Sequence, residues 1–146
     1  MLSVAASDVT INDICLVGDA TSAILNVVGA RFRGNRISVS GNHAPNGIGV
    51  RFGAGSAGSV LSDSSVTDIA NDGIGIGSST TGSITLQNVD CHNVDTAFVS
   101  GDCVQAYDGT AADLTIDGGL LSRRPRQSRR LSISEVDTLP SRVELT

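Results

Sequence analysis

Asn46-Gly47-Ile48-Gly49-Val50 and Asn71-Asp72-Gly73-Ile74-Gly75-Ile76 are the stretches whose reading decides the fold. Each opens on residues that favour a tight turn and runs directly into an apolar/small alternation. Alternation sends successive side chains to opposite faces, so the apolar members share one face of a short strand. The turn pair alone would suit a hairpin. What excludes a hairpin meander is that the phrase returns at a nearly constant interval.

Working outward, a small residue followed by a bulky apolar one occurs at Ala23-Ile24, Gly47-Ile48, Gly73-Ile74 and Ala97-Phe98, the apolar members 24, 26 and 24 apart. A second series, Ile11, Ile37, Val60, Ile84 and Leu114, has spacings of 26, 23, 24 and 30. Two interleaved series of one period indicate a solenoid, in which each coil stacks like residues on like. The expectation is an all-β chain of roughly four to five coils whose strands pair in parallel about 4.8 Å apart. Residues 1–121 form this body. Residues 122–146, with Arg123-Arg124-Pro125-Arg126, read as a basic, proline-interrupted tail, flexible or capping the last coil.

Composition agrees. Hydrophobic residues make up 40% of the 146 but aromatics only 3%, with no Trp, so thin strands of Val, Ile, Leu and Ala must supply the core. Residues 1–122 carry twelve Asp, no Glu and four Arg, a net of −8; the remainder carries +3. Asp without Glu is turn chemistry, because only the shorter side chain bonds its own backbone in a tight turn. A body this acidic is a poor nucleic-acid ligand. No apolar run approaches the roughly 18 residues of a membrane span, and the N-terminus has no signal-peptide pattern. Cys15, Cys91 and Cys103 are odd in number and form no CxxC pair, so they are expected to be small buried hydrophobes.

The phrases quoted above, with Ser7-Asp8-Val9-Thr10-Ile11 and Ala112-Asp113-Leu114-Thr115-Ile116-Asp117-Gly118-Gly119, resemble the pectate-lyase-like superfamily of right-handed parallel β-helices. The resemblance covers about residues 7 to 121. It implies the fold, and a range of functions that includes polysaccharide lyases, glycoside hydrolases, uronan epimerases and phage tail-spike proteins. It also implies an extracellular or virion-associated setting and a polysaccharide partner. The chain enters a strand pattern almost at once, so it reads as a piece of a longer parent chain, or as a module whose ends are covered in an oligomer such as a homotrimer.

Stacking nominates sites. His43, Asp68 and His92, spaced 25 and 24, form one candidate column, and Asn46, Asp72 and Asp95, spaced 26 and 23, a second. Imidazole beside carboxylate can do general acid–base work, and clustered Asp such as Asp72 and Asp95 can hold calcium. The competing reading is that Asn and Asp recur because the turns need them. The long interval from Ile84 to Leu114 implies an enlarged loop within Ser100–Thr110, carrying Asp102, Gln105, Tyr107 and Asp108, a set able to hydrogen-bond and stack on a sugar. Gly101-Asp102-Cys103-Val104-Gln105 resembles a segment of sugar-active β-helices, in which hydrolases often show two adjacent Asp; only Asp102 is present here. Asp68, His92 and Asp102 are therefore the catalytic candidates. Arg31, Arg33 and Arg36 are candidates to line a groove for an acidic polysaccharide, or else solvated face residues. Two function classes stand: a carbohydrate-directed lyase- or hydrolase-like protein, and a non-catalytic structural module such as a tail-spike or adhesin segment.

Overall fold

The computed structural model describes residues 1–96, 101–108, 110–122, 135–136 and 143–145. Phe98, Ser100, Gly109 and the basic run Arg123–Arg130 lie outside them. In chain order the strands are β1 (Leu2–Val4), β2 (Thr10–Val17), β3 (Ala23–Val27), β4 (Arg33–Asn42), β5 (Ile48–Phe52), β6 (Ser59–Ser62), β7 (Ser65–Ile69) and β8 (Ile74–Ile76). They continue as β9 (Thr81–Gln87), β10 (Asp90–His92), β11 (Val104–Ala106), β12 (Ala111–Asp117), β13 (Leu121–Ser122), β14 (Glu135–Val136) and β15 (Val143–Leu145). No helix is long and apolar enough to cross a membrane among the described residues.

Every ladder within β1–β13 is parallel, and the strands wind into a β-solenoid of about four turns. One face is the five-stranded stack β1-β3-β5-β8-β11. Its stacked columns are Leu2, Leu25, Val50, Ile74, Val104 and Val4, Val27, Phe52, Ile76, the second ending on the exposed Ala106. The other sheet is bent into two faces, because β2 and β4 are each long enough to serve both. On the first, Ile11, Gly34, Leu61, Leu86 and Ile116 stand over one another. On the second the column is Leu16, Val39, Val66, Cys91 and Leu121. These columns meet in one apolar core in which Phe32 and Phe52 are the largest fully buried side chains. The Phe32 ring occupies the space that the absent side chain of Gly34 leaves, its Cε1 only 2.8 Å from where a Cβ would stand.

The bends between faces are made by single residues in the left-handed region. Asp13, Arg36, Asp63, Asn88 and Gly118 have φ of 57°, 54°, 46°, 51° and 70°, and the flanking ladders place them one above another. Gly18, Gly41, Asp68 and Asn93 form a second such corner. Asp8, Arg31 and Gly58 form a third. Asn and Asp tolerate this conformation because their short polar side chains bond locally. The Asp-without-Glu composition is thus the signature of stacked corners.

The repeat is real, but the landmark series slip in register. Ile48 stands opposite Ala23, and Ile74 opposite Val50 and Val104. Ile37 stacks on Ile14, whereas Val60 pairs Arg33 on the outer surface; Ile84 does stack on Leu114. Corner and loop lengths vary between coils, so counting from one landmark to the next accumulates small errors. The cysteine expectation also needs correcting. Cys91 and Cys103 form a disulfide and Cys15 is an exposed free thiol.

At the far end, β14 and β15 pair antiparallel with β13 and β12, adding backbone partners to the edge of the last coil. Open sheet edges invite promiscuous pairing, and such strands occupy them.

Candidate functional site

The solenoid departs furthest from its own period in one place. From Val66 to Ile74 the chain takes eight residues to pass from the second face of the bent sheet to the five-stranded face, and the equivalent passage from Cys91 to Val104 takes thirteen. The lengthened connection therefore lies between His92 and Val104, earlier than the sequence placed it. The disulfide closes it at its base. Gly101 packs directly against the Asn71 backbone, too close for any Cβ.

Two aspartates hold the loop. Asp72, almost fully buried, accepts the Asp102 N–H on Oδ1 at 2.9 Å and the Tyr107 hydroxyl on Oδ2 at 2.6 Å. Buried Asp95 accepts the Gly101 N–H at 3.2 Å. Burial pushes the Asp72 carboxyl above its ordinary value, and the charges of Asp102 and Asp95 push the same way; the Tyr107 and Asp102 hydrogen bonds oppose them. Burial, and then the Asp72 carboxylate, push the Tyr107 phenol well above its usual range, with Arg51 opposing. The half-buried Tyr107 ring lies over Gly75, its Cε2 3.1 Å from where a Cβ would be, with Ile48 beside it. Gln105 stands in register with Gly75 and donates to the Ala106 carbonyl, while Asp108 is exposed. The structure thus brings together Asp72, Asp95, Asp102 and Tyr107, drawn from separate sequence nominations. Among the described residues no group of three or more His, Cys, Asp or Glu is arranged to hold a metal ion.

The imidazole nominations part company. His43 Nε2 lies 3.0 Å from Asp68 Oδ2, and its Nδ1 lies 3.5 Å from Asp19. His92 is exposed and in register with Thr67, one position before the Asn93 that donates to Asp68. The arginine nominations are engaged in clips between coils. Arg31 grips Asp8 through two hydrogen bonds of 2.7 and 2.6 Å, and Arg36 grips Asp13 at 2.5 and 2.7 Å. In each pair both residues are left-handed corners one coil apart. Arg33 donates to the carbonyls of Gly58 and Phe32. Arg31 is a left-handed corner residue, and it and Arg33 are both exposed on either side of the buried Phe32.

The sequence reading missed a trough of about 310 Å³ lined by Arg36, Ser38, Asp63, Ser65, Asn88 and Asp90, with the buried Ile37 and Ser64 also in its lining. It runs over three coils beside one corner. The signal was the Ser38, Ser65, Asp90 column, visible only once register is known.

No family model, no curated protein and no solved structure matches this chain.

Proposed function

We propose that this chain is an extracellular carbohydrate-directed β-helix module whose sugar site is the Tyr107 face. The observation that carries the reading is the way Tyr107 is held. A half-exposed aromatic ring is fixed by a carboxylate, seated on glycine, and flanked by Asp102 and Gln105 on a rigid stack of strands. Flat aromatic faces bordered by hydrogen-bonding groups suit the apolar face and hydroxyl rim of a pyranose, and pre-ordering them lowers the entropic cost of binding. The Cys91–Cys103 bond fits an oxidising compartment. Asp72 and Asp102 have the pattern of an acid–base pair, one carboxyl raised beside another. Both Asp72 oxygens are, however, committed to the loop, which favours binding over hydrolysis.

Calorimetric titration against a panel of neutral and acidic oligosaccharides tests this. Binding that weakens at least about tenfold in Tyr107→Ala and survives in Tyr107→Phe is expected, since the ring rather than the hydroxyl makes the stack. Absence of binding across the panel, or a Tyr107→Ala variant that binds unchanged, refutes it. Ultraviolet absorbance of unsaturated products and a reducing-end assay on the same panel report β-elimination and hydrolysis.

A specific observation favours the structural alternative, a stalk or tail-spike segment. The Arg31–Asp8 and Arg36–Asp13 clips tie the first two coils at two separate corners, a device that serves rigidity whatever the surface binds.

A further inference from the structure

We propose that the first coil is a self-association surface, on which β2 pairs antiparallel with β2 of a second copy of this chain to close a head-to-head dimer. Among the described residues β1 pairs only with β3 and β2 only with β4, so each turns its outer backbone edge to solvent. An open edge is a template for another strand, and proteins guard it with Lys, Pro or inward-pointing charge. β1 and β2 carry no Lys, no Pro and a single charge, Asp13. The core is open at the same end. Leu2, Ile14 and Leu16 are only partly buried, whereas Leu25, Ile37 and Val39, which stand over them in the second coil, are fully buried. Val17, the last residue of β2, is 71% exposed.

Charge selects the partner that this end accepts. Residues 1–36 hold Asp8, Asp13 and Asp19 against Arg31, Arg33 and Arg36, a side-chain net of zero. Residues 37–122 hold nine Asp against Arg51 alone, a net of −8. The neutrality is local as well. Arg31 and Arg36 reach back from the second coil to grip Asp8 and Asp13, and Asp19 accepts the His43 backbone N–H at 2.6 Å. Along the later coils two copies meet as like-charged bodies; at the first coil a copy approaches without that repulsion. The copy also brings what the edge lacks, an equally neutral, apolar and unpaired strand. Head-to-tail stacking is blocked on the bent sheet, because the outer edges of β12 and β13 are already taken by β15 and β14. A two-fold contact is what remains, with β2 supplying an antiparallel ladder to its own counterpart, the pairing that β14 and β15 make at the opposite end.

Sedimentation equilibrium from about 1 to about 100 µM, with hydrogen exchange at both limits, tests this. A Cys15→Ser background keeps disulfide-linked species out of the measurement, since Cys15 is an exposed thiol on β2. The expected result is a monomer–dimer equilibrium with concentration-dependent amide protection confined to residues 1–17. Arg36→Gln uncovers Asp13 on both copies and should weaken the dimer about fivefold at low salt, with high salt restoring it. Adding Asp13→Asn to that variant removes the uncovered charge and should restore the dimer at low salt. A monomer throughout, a trimer, or a dimer protected elsewhere overturns the proposal. Protection of β2 at every concentration in a monomer overturns it too, since another part of this chain then covers the edge. So does an Arg36→Gln dimer as tight as the parent at low salt, or a double variant that stays weak. If Arg36→Gln does not fold, Val17→Lys puts a cation on each copy's edge, and a dimer left unweakened by it refutes the β2 contact.

Discussion

Replacing both Cys91 and Cys103 with Ala should cost about 3 kcal/mol of stability, most of it in the last coils. The two residues are 12 positions apart, and the chain-entropy relation for a loop of that length gives a denatured-state constraint of about 3 kcal/mol at 25 °C. Ala is the proper replacement because both side chains are buried, at 0% and 1% exposure, and Ser would strand hydroxyl groups in the core. With a urea dependence of about 1–3 kcal/mol per molar, the unfolding midpoint should fall by about 1–3 M. In a solenoid each coil touches its neighbours only, so the loss should concentrate where β10 to β13 and the tethered loop lie. The sequence supplies its own reporter. It has one Tyr and no Trp, so the intrinsic fluorescence is that of Tyr107. In the double variant the Tyr107 emission should change at lower urea than the far-ultraviolet circular dichroism, whereas the oxidised wild type should show the two together. Under native, non-reducing conditions a thiol reagent should find one reactive group, the exposed Cys15. Three reactive thiols, or equal midpoints for wild type and double variant, would refute the reasoning.

Other outcomes follow from the same geometry. The Asp72 carboxyl is raised above 3.8 in the folded chain, so its contribution to stability is complete below that pH and is lost as pH rises through the folded value. The stability advantage of wild type over Asp72→Asn should therefore shrink from pH 4 to pH 7, measured as urea midpoints; an advantage that grows would contradict the assignment. Asp8 and Asp13 have the opposite sign. Their Arg partners lower them, so the clips stabilise above 3.8 and fail as pH drops through the folded values. Both clips are exposed, and the destabilisation in Asp8→Asn should be small and vanish in 1 M salt, read by thermal melting. Gly49→Ala should destabilise by about 1–3 kcal/mol, because its Cβ would meet Val66 Cγ1 at 2.5 Å and the Gly73 carbonyl at 2.6 Å. An unchanged melting temperature there would mean the five-stranded face sits farther from Val66 than described.

Much of the fold was legible because stacking writes itself into sequence as period. The ladders of the first bent face run from Ile11 to Gly34, Leu61, Leu86 and Ile116, and each of the first three intervals suggests a coil of about two dozen residues. Register was not legible. Ile48 looks like the counterpart of Ile74, yet stands two positions from it, since the intervening corners differ in length. The candidate site was legible in its members and not in its assembly. Asp72, Asp95, Asp102 and Tyr107 were each singled out, but for two different sites, and only the folded-back loop shows them to be one cluster.

By itself the sequence determined that the chain coils, how long a coil is, and that aspartate, asparagine and glycine turn its corners. Those are local matters, set by alternation and by which residues accept a left-handed backbone. The tertiary structure decided which cysteines pair, which arginines are spent, and that Tyr107 closes on Asp72 across 35 positions. Such contacts depend on the difference of a few residues between one connection and the next. A difference that small leaves the period almost unchanged and yet redirects every side chain that follows it.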